Sequence, residues 1–257
     1  ARPAGASIMS RLIALAAPVF GALSILVVWQ FLLPLTGVPA YVVPTPARIV
    51  AVFFTQTDLV LSNFLPTFIE ALAGFAFGNI AAVLFAIVFA YSRFIRQAYF
   101  PVVLFFNTIP ILALSPIIIL IFGLGMTPKI IIAAIICFFP TLVNMIRGLA
   151  SATPSEEELF HVLSANKFET FLRLHLPRSL PMLFSSLRIA TATAVIGAIV
   201  GEWIGADKGL GALIIRATFN YQSDQLYAAI VAASFLSITL FAIVAAVEAR
   251  VLRYQSR

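Results

Sequence analysis

Charged side chains are scarce in this 257-residue chain. Asp, Glu, Lys and Arg together make up 10% of it, while hydrophobic residues make up 62% and mean hydropathy is +1.08. Soluble domains carry about 25% charged residues, so the composition argues against a soluble domain and predicts a membrane protein. The net charge of +6 comes without a basic cluster interleaved with aromatics, which argues against nucleic-acid binding.

Cysteine and histidine are scarcer still. The single cysteine, Cys137, excludes an intrachain disulfide, and two histidines, His161 and His175, do not make a Cys/His metal site. None of the lysines belongs to a GxxxxGK[ST] phosphate-binding loop. We therefore expect no catalytic residue, no metal and no cofactor on this chain.

Long apolar runs predict six membrane-spanning helices, because about 18 apolar residues suffice to cross a bilayer and lipid cannot satisfy free backbone groups. The expected spans run from about Leu12 to Leu35, Thr67 to Tyr91, Phe100 to Phe122, Pro128 to Ile146, Leu180 to Trp203 and Leu226 to Val247. Prolines inside the third and fourth spans predict kinks there. Residues 1–257 then form a single all-α, polytopic membrane domain.

The distribution of Lys and Arg predicts the orientation of these spans. With a cytoplasmic N-terminus, most of the 16 basic residues, including Arg2 and Arg257, lie on the inner side. Those left outside are Arg48, Lys129, Lys208 and Arg216. By the positive-inside rule both termini are cytoplasmic, and so is the connection between the fourth and fifth spans.

That connection contains an unusually polar stretch, EEELFHVLSANKFETFLRLHLP, at residues 156–177. Thr153 to Glu156 form a capping pattern that predicts a helix starting near residue 154. A break is expected at residues 164–166, followed by an amphipathic helix over residues 168–175 that ends at Leu176-Pro177. This helix pair is either a solvated interfacial loop or a docking element for a cytoplasmic partner.

Few polar residues fall within the spans, and these are the candidates for a translocation path or a subunit interface. Glu202 is either a functional acid at membrane depth or an interfacial anchor, while Glu70 is expected near a helix end. Gly197 and Gly201 are spaced for close helix contact, either with a second subunit or within one. The full candidate set is Asn107, Asn144, Ser186, Thr193, Gly197, Gly201 and Glu202.

The polar stretch resembles the EAA loop of binding-protein-dependent ABC importer permeases. Glu158 matches the glutamate of that pattern, Ala165 the alanine after its glycine, and Leu176-Pro177 its Leu-Pro. Two departures are Leu159-Phe160 in place of the two alanines and Ser164 in place of the glycine.

Three further segments resemble the nitrate/sulfonate/taurine branch of the same family. They are residues 44–50, 107–125 and 176–214, and the likeness extends over roughly residues 40–250. Permeases for pyrimidine-type thiamine precursors share this pattern, so it leaves the substrate open among sulfonate, taurine, nitrate and pyrimidine-like solutes.

The resemblance implies a type I ABC importer permease in a bacterial cytoplasmic membrane. Such a subunit works as a pair, here expected to be a homodimer, with two cytoplasmic ABC ATPases that bind ATP and Mg²⁺ and an external substrate-binding protein. The loop at about residues 153–178 is then the coupling element. The residues expected to contact the ATPase are Glu157, Glu158, Leu159, His161, Ser164, Ala165, Asn166, Lys167, Phe168, Leu176 and Pro177.

Two other classes of membrane protein compete with this interpretation. An ion-coupled secondary carrier predicts paired intramembrane acids, broken helices in corresponding halves and an inverted repeat, and no such repeat is visible in the sequence. An intramembrane enzyme predicts a nucleophile, base or metal cluster at depth, which two histidines on a cytoplasmic loop do not supply.

Overall fold

The computed structural model describes the backbone of residues 8–253 and the side chains from residue 17 onward. Arg2, Arg257 and the predicted cytoplasmic termini lie outside these residues. Within them the chain is helical and contains no strand. The helices are α1 (Ile8–Val27), α2 (Pro46–Thr55), α3 (Thr57–Tyr91), α4 (Arg93–Thr108), α5 (Ile111–Phe122), α6 (Met126–Leu149), α7 (Pro154–Val162), α8 (Lys167–Thr170), α9 (Leu176–Glu202), α10 (Leu210–Phe219) and α11 (Ser223–Leu252).

Three short segments of other helical types extend these helices. A π-helical turn (Val28–Leu32) and a 3₁₀ turn (Leu33–Thr36) prolong α1, and a second π-helical turn (Phe171–His175) joins α8 to α9. In the described part of the chain, five helical segments are long and apolar enough to cross a membrane, and a sixth span results if α4 and α5 count as one. The all-α, multi-span fold is therefore confirmed.

The predicted third span, Phe100 to Phe122, is sharply bent at Pro110, one of the prolines from which a kink was predicted. Its two halves, α4 and α5, meet at an angle of 102°. Ile109 is extended (φ −75°, ψ 125°) because the residue before a proline avoids the helical region, and Pro110 has no N–H to continue the ladder. Pro140, by contrast, lies inside the continuous helix α6.

Helix α6 is the centre of the bundle and is packed between α3 and α9. Both neighbours present glycines to it: a Cβ added at Gly78 of α3 would lie 2.9 Å from Ala134 Cα, and one added at Gly197 of α9 would lie 2.6 Å from Ala133 Cα. Real Cβ atoms do not approach other atoms so closely, so the backbones are in direct contact. The short side chains are what allow this spacing.

Other helices surround this three-helix core. Helix α11 packs on α9 through buried alanines, among them Ala228 and Ala229, and α2 contributes the buried side chains of Ile49 and Val52. The first span is peripheral, with no buried side chain between residues 17 and 36. It is connected to the rest through Trp29, whose Nε1 donates to the carbonyl of Pro44 at 3.0 Å.

Candidate functional site

The EAA-like loop, residues 153–178, begins with the predicted cap. Helix α7 starts at Pro154, and the Glu156 carboxylate accepts hydrogen bonds from the backbone N–H and the hydroxyl of Thr153, at 2.9 and 3.0 Å. Glu156 also forms an ion pair with Arg178 near the start of α9. The same carboxylate therefore caps α7 and fastens it to the bundle.

The turn after α7 explains the residue type at position 164. Ser164 has a left-handed backbone (φ 56°), its N–H donates to the carbonyl of His161 at 2.9 Å, and the N–H of Ala165 donates to that of Phe160 at 3.0 Å. This pair of bonds is a Schellman motif, whose left-handed position favours glycine. The left-handed backbone at this position explains the glycine of the family pattern, and in this chain serine adopts the same conformation.

The second half of the loop is continuous with α9. The side-chain oxygen of Asn166 caps α8 by accepting from the N–H of Glu169 at 2.9 Å, and the Glu169 carboxylate in turn accepts from the N–H of Asn166. The π-helical turn from Phe171 to His175 then leads directly into α9.

The prediction that Leu176-Pro177 ends this helix is wrong. The N–H of Leu176 donates to the carbonyl of Phe171, five residues back, and Pro177 occupies the first turn of α9. The wider π-turn changes the backbone spacing just ahead of the proline ring, where a regular α-helix would clash with it.

Three contacts fix the loop against the bundle in addition to the Glu156 ion pair. The ring of Phe171 packs edge-on against Tyr91 of α3, with centroids 5.8 Å apart. His175 Nδ1 lies 3.1 Å from the carbonyl oxygen of Leu149 at the end of α6, and Leu174 is buried. The loop is therefore anchored to α3, α6 and α9, the three helices of the core.

The outer surface of the loop is apolar although it lies outside the spans. Val162 is 80% exposed, Phe168 is 70% exposed and Leu163 is 66% exposed. We call this surface the loop patch; its members are Leu159, Val162, Leu163, Phe168 and Leu172. Glu157, Glu158, His161 and Lys167 are exposed on the same loop. Exposed apolar side chains of this size, outside the membrane spans and close to charged residues in the sequence, are typical of a protein interface.

A buried polar cluster lies at the other end of α9, centred on Glu202, which is 1% exposed. Its Oε1 accepts from the Thr67 hydroxyl at 2.5 Å and its Oε2 accepts from the N–H of Gly211 at 2.6 Å. The N–H of Leu210 donates to the Thr67 hydroxyl, and that of Gly209 donates to Asn63 Oδ1. These side chains cap the otherwise unpaired N-terminus of α10, whose dipole favours the carboxylate.

The cluster also contains an ion pair that was not predicted from the sequence. Lys129 Nζ of α6 donates to Glu70 Oε1 of α3 at 3.0 Å, and both side chains are buried. The Glu70 carboxyl also lies beside that of Glu202. Glu70 was expected near a helix end, but α3 begins at Thr57, so the carboxyl lies well inside the helix. An isolated lysine within an apolar run was the available sign of such a partner.

The structure places the remaining candidates for the translocation path in different environments. Asn107 lines a cavity beside the α4–α5 break, whereas Asn144 donates to the carbonyl of Pro140 within its own helix. Ser186 and Thr193 likewise bond to carbonyls of α9. Gly197 and Gly201 face α6 of the same chain, as the within-subunit packing alternative requires.

The described chain is a many-spanned α-bundle in which α9 continues into an amphipathic loop. The fold is that of a type I ABC importer permease. It matches a chain of the inward-facing MetNI methionine ABC transporter with a TM-score of 0.63 and 18% identity, over 79% of this chain and 98% of that one.

Residues 74–253 match the family described as binding-protein-dependent transport system inner membrane component, and the chain belongs to this family. It is 33% identical to the formylaminopyrimidine transport permease protein ThiX of Halalkalibacterium halodurans, over 88% of this chain and 90% of that protein. It is also 33% identical to the riboflavin transport system permease protein RibX of Chloroflexus aurantiacus, over 90% and 87%.

We expect Lys129→Met to destabilise the protein by several kcal/mol, because it leaves adjacent buried carboxyls without their cation; such losses are typically about 3–5 kcal/mol. The Glu70→Gln/Lys129→Met double variant should recover most of this. Thermal unfolding of the purified protein in detergent measures both. A single variant as stable as the original chain would contradict the role assigned to the ion pair.

Ser164→Gly should tighten the EAA-like loop, because glycine adopts the left-handed conformation without the penalty of about 1 kcal/mol that other residues incur. Ser164→Val should loosen it. Hydrogen exchange at the amide of Ala165, which closes the Schellman motif, reports the effect: slower with glycine and faster with valine. Equal exchange rates in all three proteins would count against this account of the turn.

Proposed function

We propose that this chain forms the translocation path of an ATP-driven importer and receives its energy through the EAA-like loop. A cytoplasmic ABC ATPase covers the loop patch, and an external binding protein delivers a small solute to the opposite face. Since the sequence contains no phosphate-binding loop, ATP and Mg²⁺ are bound by the ATPase.

The observation that supports this proposal most directly is the combination of exposure and anchoring in the loop. Large apolar side chains such as Val162 and Phe168 are exposed. Phe168 lies on α8, which is helically continuous with α9, and Val162 lies on α7, whose Glu156 pairs with Arg178 of α9. Burying a side chain of this size is worth about 1.5–3 kcal/mol, so a partner that covers the patch gains affinity. Any displacement of the loop by that partner is passed to α9.

The transport cycle then follows from differential binding. If the closed, ATP-bound ATPase pair binds one arrangement of two EAA-like loops better than another, ATP shifts the population of permease conformations accordingly. We infer a homodimer because the resemblance to binding-protein-dependent importer permeases implies that such subunits work in pairs. The loop is on the cytoplasmic side, and both termini with it, as the Lys and Arg distribution indicates.

The solute belongs to the small molecules handled by this family. Two relatives are named for formylaminopyrimidine and riboflavin, and the sequence resemblance adds sulfonates, taurine and nitrate. An ion-coupled carrier gains no support from the broken span, because the other spans of the described chain have no corresponding break. The acids of the polar cluster are bonded to Lys129 and to the start of α10.

The chain purified alone should hydrolyse no ATP, whereas its complex with the ATPase should. Glu158→Lys reverses a charge beside the loop patch, so we expect ATP hydrolysis by the complex or recovery of the ATPase to fall about tenfold or more, the equivalent of 1.4 kcal/mol of binding. Asp58→Lys, an equally exposed reversal at the start of α3, is the matched control. Unimpaired transport by the Glu158→Lys complex would refute the proposed contact.

A further inference from the structure

The buried polar cluster at the end of α9 has more acidic than basic groups. Glu70 and Glu202 are 0% and 1% exposed, their carboxyls are adjacent, and Lys129 supplies one positive charge. Two ionised carboxylates would therefore leave a buried negative charge, which the dipole of α10 offsets only in part. Such a charge is strongly unfavourable away from water. The charges balance if one of the two carboxyls keeps its proton.

The hydrogen bonds indicate which carboxyl is ionised. Both oxygens of Glu202 accept short bonds, from the Thr67 hydroxyl and from the N–H of Gly211, as an ionised carboxylate at a helix start does. Of the Glu70 oxygens, Oε1 accepts from Lys129, whereas Oε2 is buried and has no hydrogen-bond partner among the residues that the structure describes. A proton makes this oxygen a donor, and the neighbouring carboxylate of Glu202 is an acceptor within reach.

A cavity of about 830 Å³ adjoins this cluster. Glu70 and Lys129 line it, together with Asp207 and Lys208 of the connection between α9 and α10. Its volume far exceeds the roughly 30 Å³ that one water molecule occupies in the liquid. Because α9 starts at the EAA-like loop and ends at Glu202, this connection lies at the opposite end of the bundle. The cavity therefore gives water and protons access to Glu70 from the face opposite to the loop.

We propose that Glu70 is a proton-binding site that holds the start of α10 against the core and responds to pH on the face opposite to the EAA-like loop. The protonated carboxyl of Glu70 donates to Glu202, which in turn accepts from the N–H of Gly211 at the start of α10. Loss of the proton leaves two adjacent carboxylates beside one ammonium group. Their repulsion displaces Glu202 and weakens its bond to α10.

Three further charged residues face this cluster. Asp207 and Lys208 line the cavity beside Glu70, and Arg216 lines a second cavity beside Glu202. All three residues are exposed, so water and salt screen their effect on the buried carboxyls. The charge balance that holds the proton therefore depends mainly on the two glutamates and on Lys129.

Infrared spectroscopy of the purified chain, in a maltoside detergent that has no carbonyl group, tests the proton site. The chain has ten Asp and Glu residues, and we expect a carboxylic-acid C=O band at neutral pH that shifts in D₂O. Glu70→Gln should abolish this band. Glu202→Gln should abolish it too, because the remaining carboxyl then pairs with Lys129 as an ion. Glu248→Gln, which removes a carboxyl paired with Arg188 at 3.3 Å, should leave the band unchanged.

Hydrogen exchange at the amide of Gly211 measures the hold on α10. As pH rises from neutral to alkaline, we expect protection, relative to an unstructured peptide, to fall about tenfold or more, the effect of losing one hydrogen bond to a charged group. Glu70→Gln has no proton to lose at this position, so its protection should stay constant. The amide of Ala165, in the EAA-like loop, is the control and should respond alike in the two proteins.

A chain without a carboxylic-acid band, or a band that persists in Glu70→Gln, would overturn the proton site. Protection at Gly211 that falls equally in the original chain and in Glu70→Gln would overturn its link to α10. Gel filtration checks that each variant is folded, and the original chain decides the first question even if a variant is not. ATP hydrolysis by the complex enters neither measurement, so the proposed function is judged separately.

Discussion

The direct backbone contact of α3, α6 and α9 is the constraint on which the rest of the structure depends. Glycines of α3 and α9, which lie on either side of α6, face that helix. At Gly201 an added Cβ would lie 2.9 Å from the Cα of Lys129. Because the helices lie so close, the side chains of Glu70, Lys129 and Glu202 meet across them. Apolar side chains gain little free energy by moving from lipid into a helix interface. Close packing and polar contacts of this kind are therefore what hold helices together in a membrane.

This core joins the two ends of the molecule. At one end the EAA-like loop is bonded to the end of α6 and the start of α9, and its second half is continuous with α9 through the π-turn. At the other end Glu202, the last residue of α9, holds the start of α10. The α4–α5 span is different, since α4 contains no buried residue. We infer that α3, α6 and α9 move together and that α4–α5 adjusts around them.

The sequence predicts the features that depend on local composition. Apolar run lengths predict the spans, and the Thr153–Glu156 pattern predicts the start of α7, because a cap involves neighbouring residues. The effect of a proline depends on its surroundings: Pro110 breaks a span, while Pro177 is accommodated by a π-turn. The partners that Glu70 and Glu202 contact lie far away in the sequence, so local composition does not predict these contacts. The cavity around Asn107 likewise results from four helices coming together.

The most direct test of this account is a distance measurement within one permease chain of the assembled complex. Spin labels at Val162 on the loop patch and at Trp203 beyond the end of α9 report whether the loop and the core move as one body. We expect their distance to stay unchanged when ATP binds, while the distance between the Val162 positions of the two permease copies changes. A loop that moves relative to Trp203 as much as the copies move relative to each other would contradict the account.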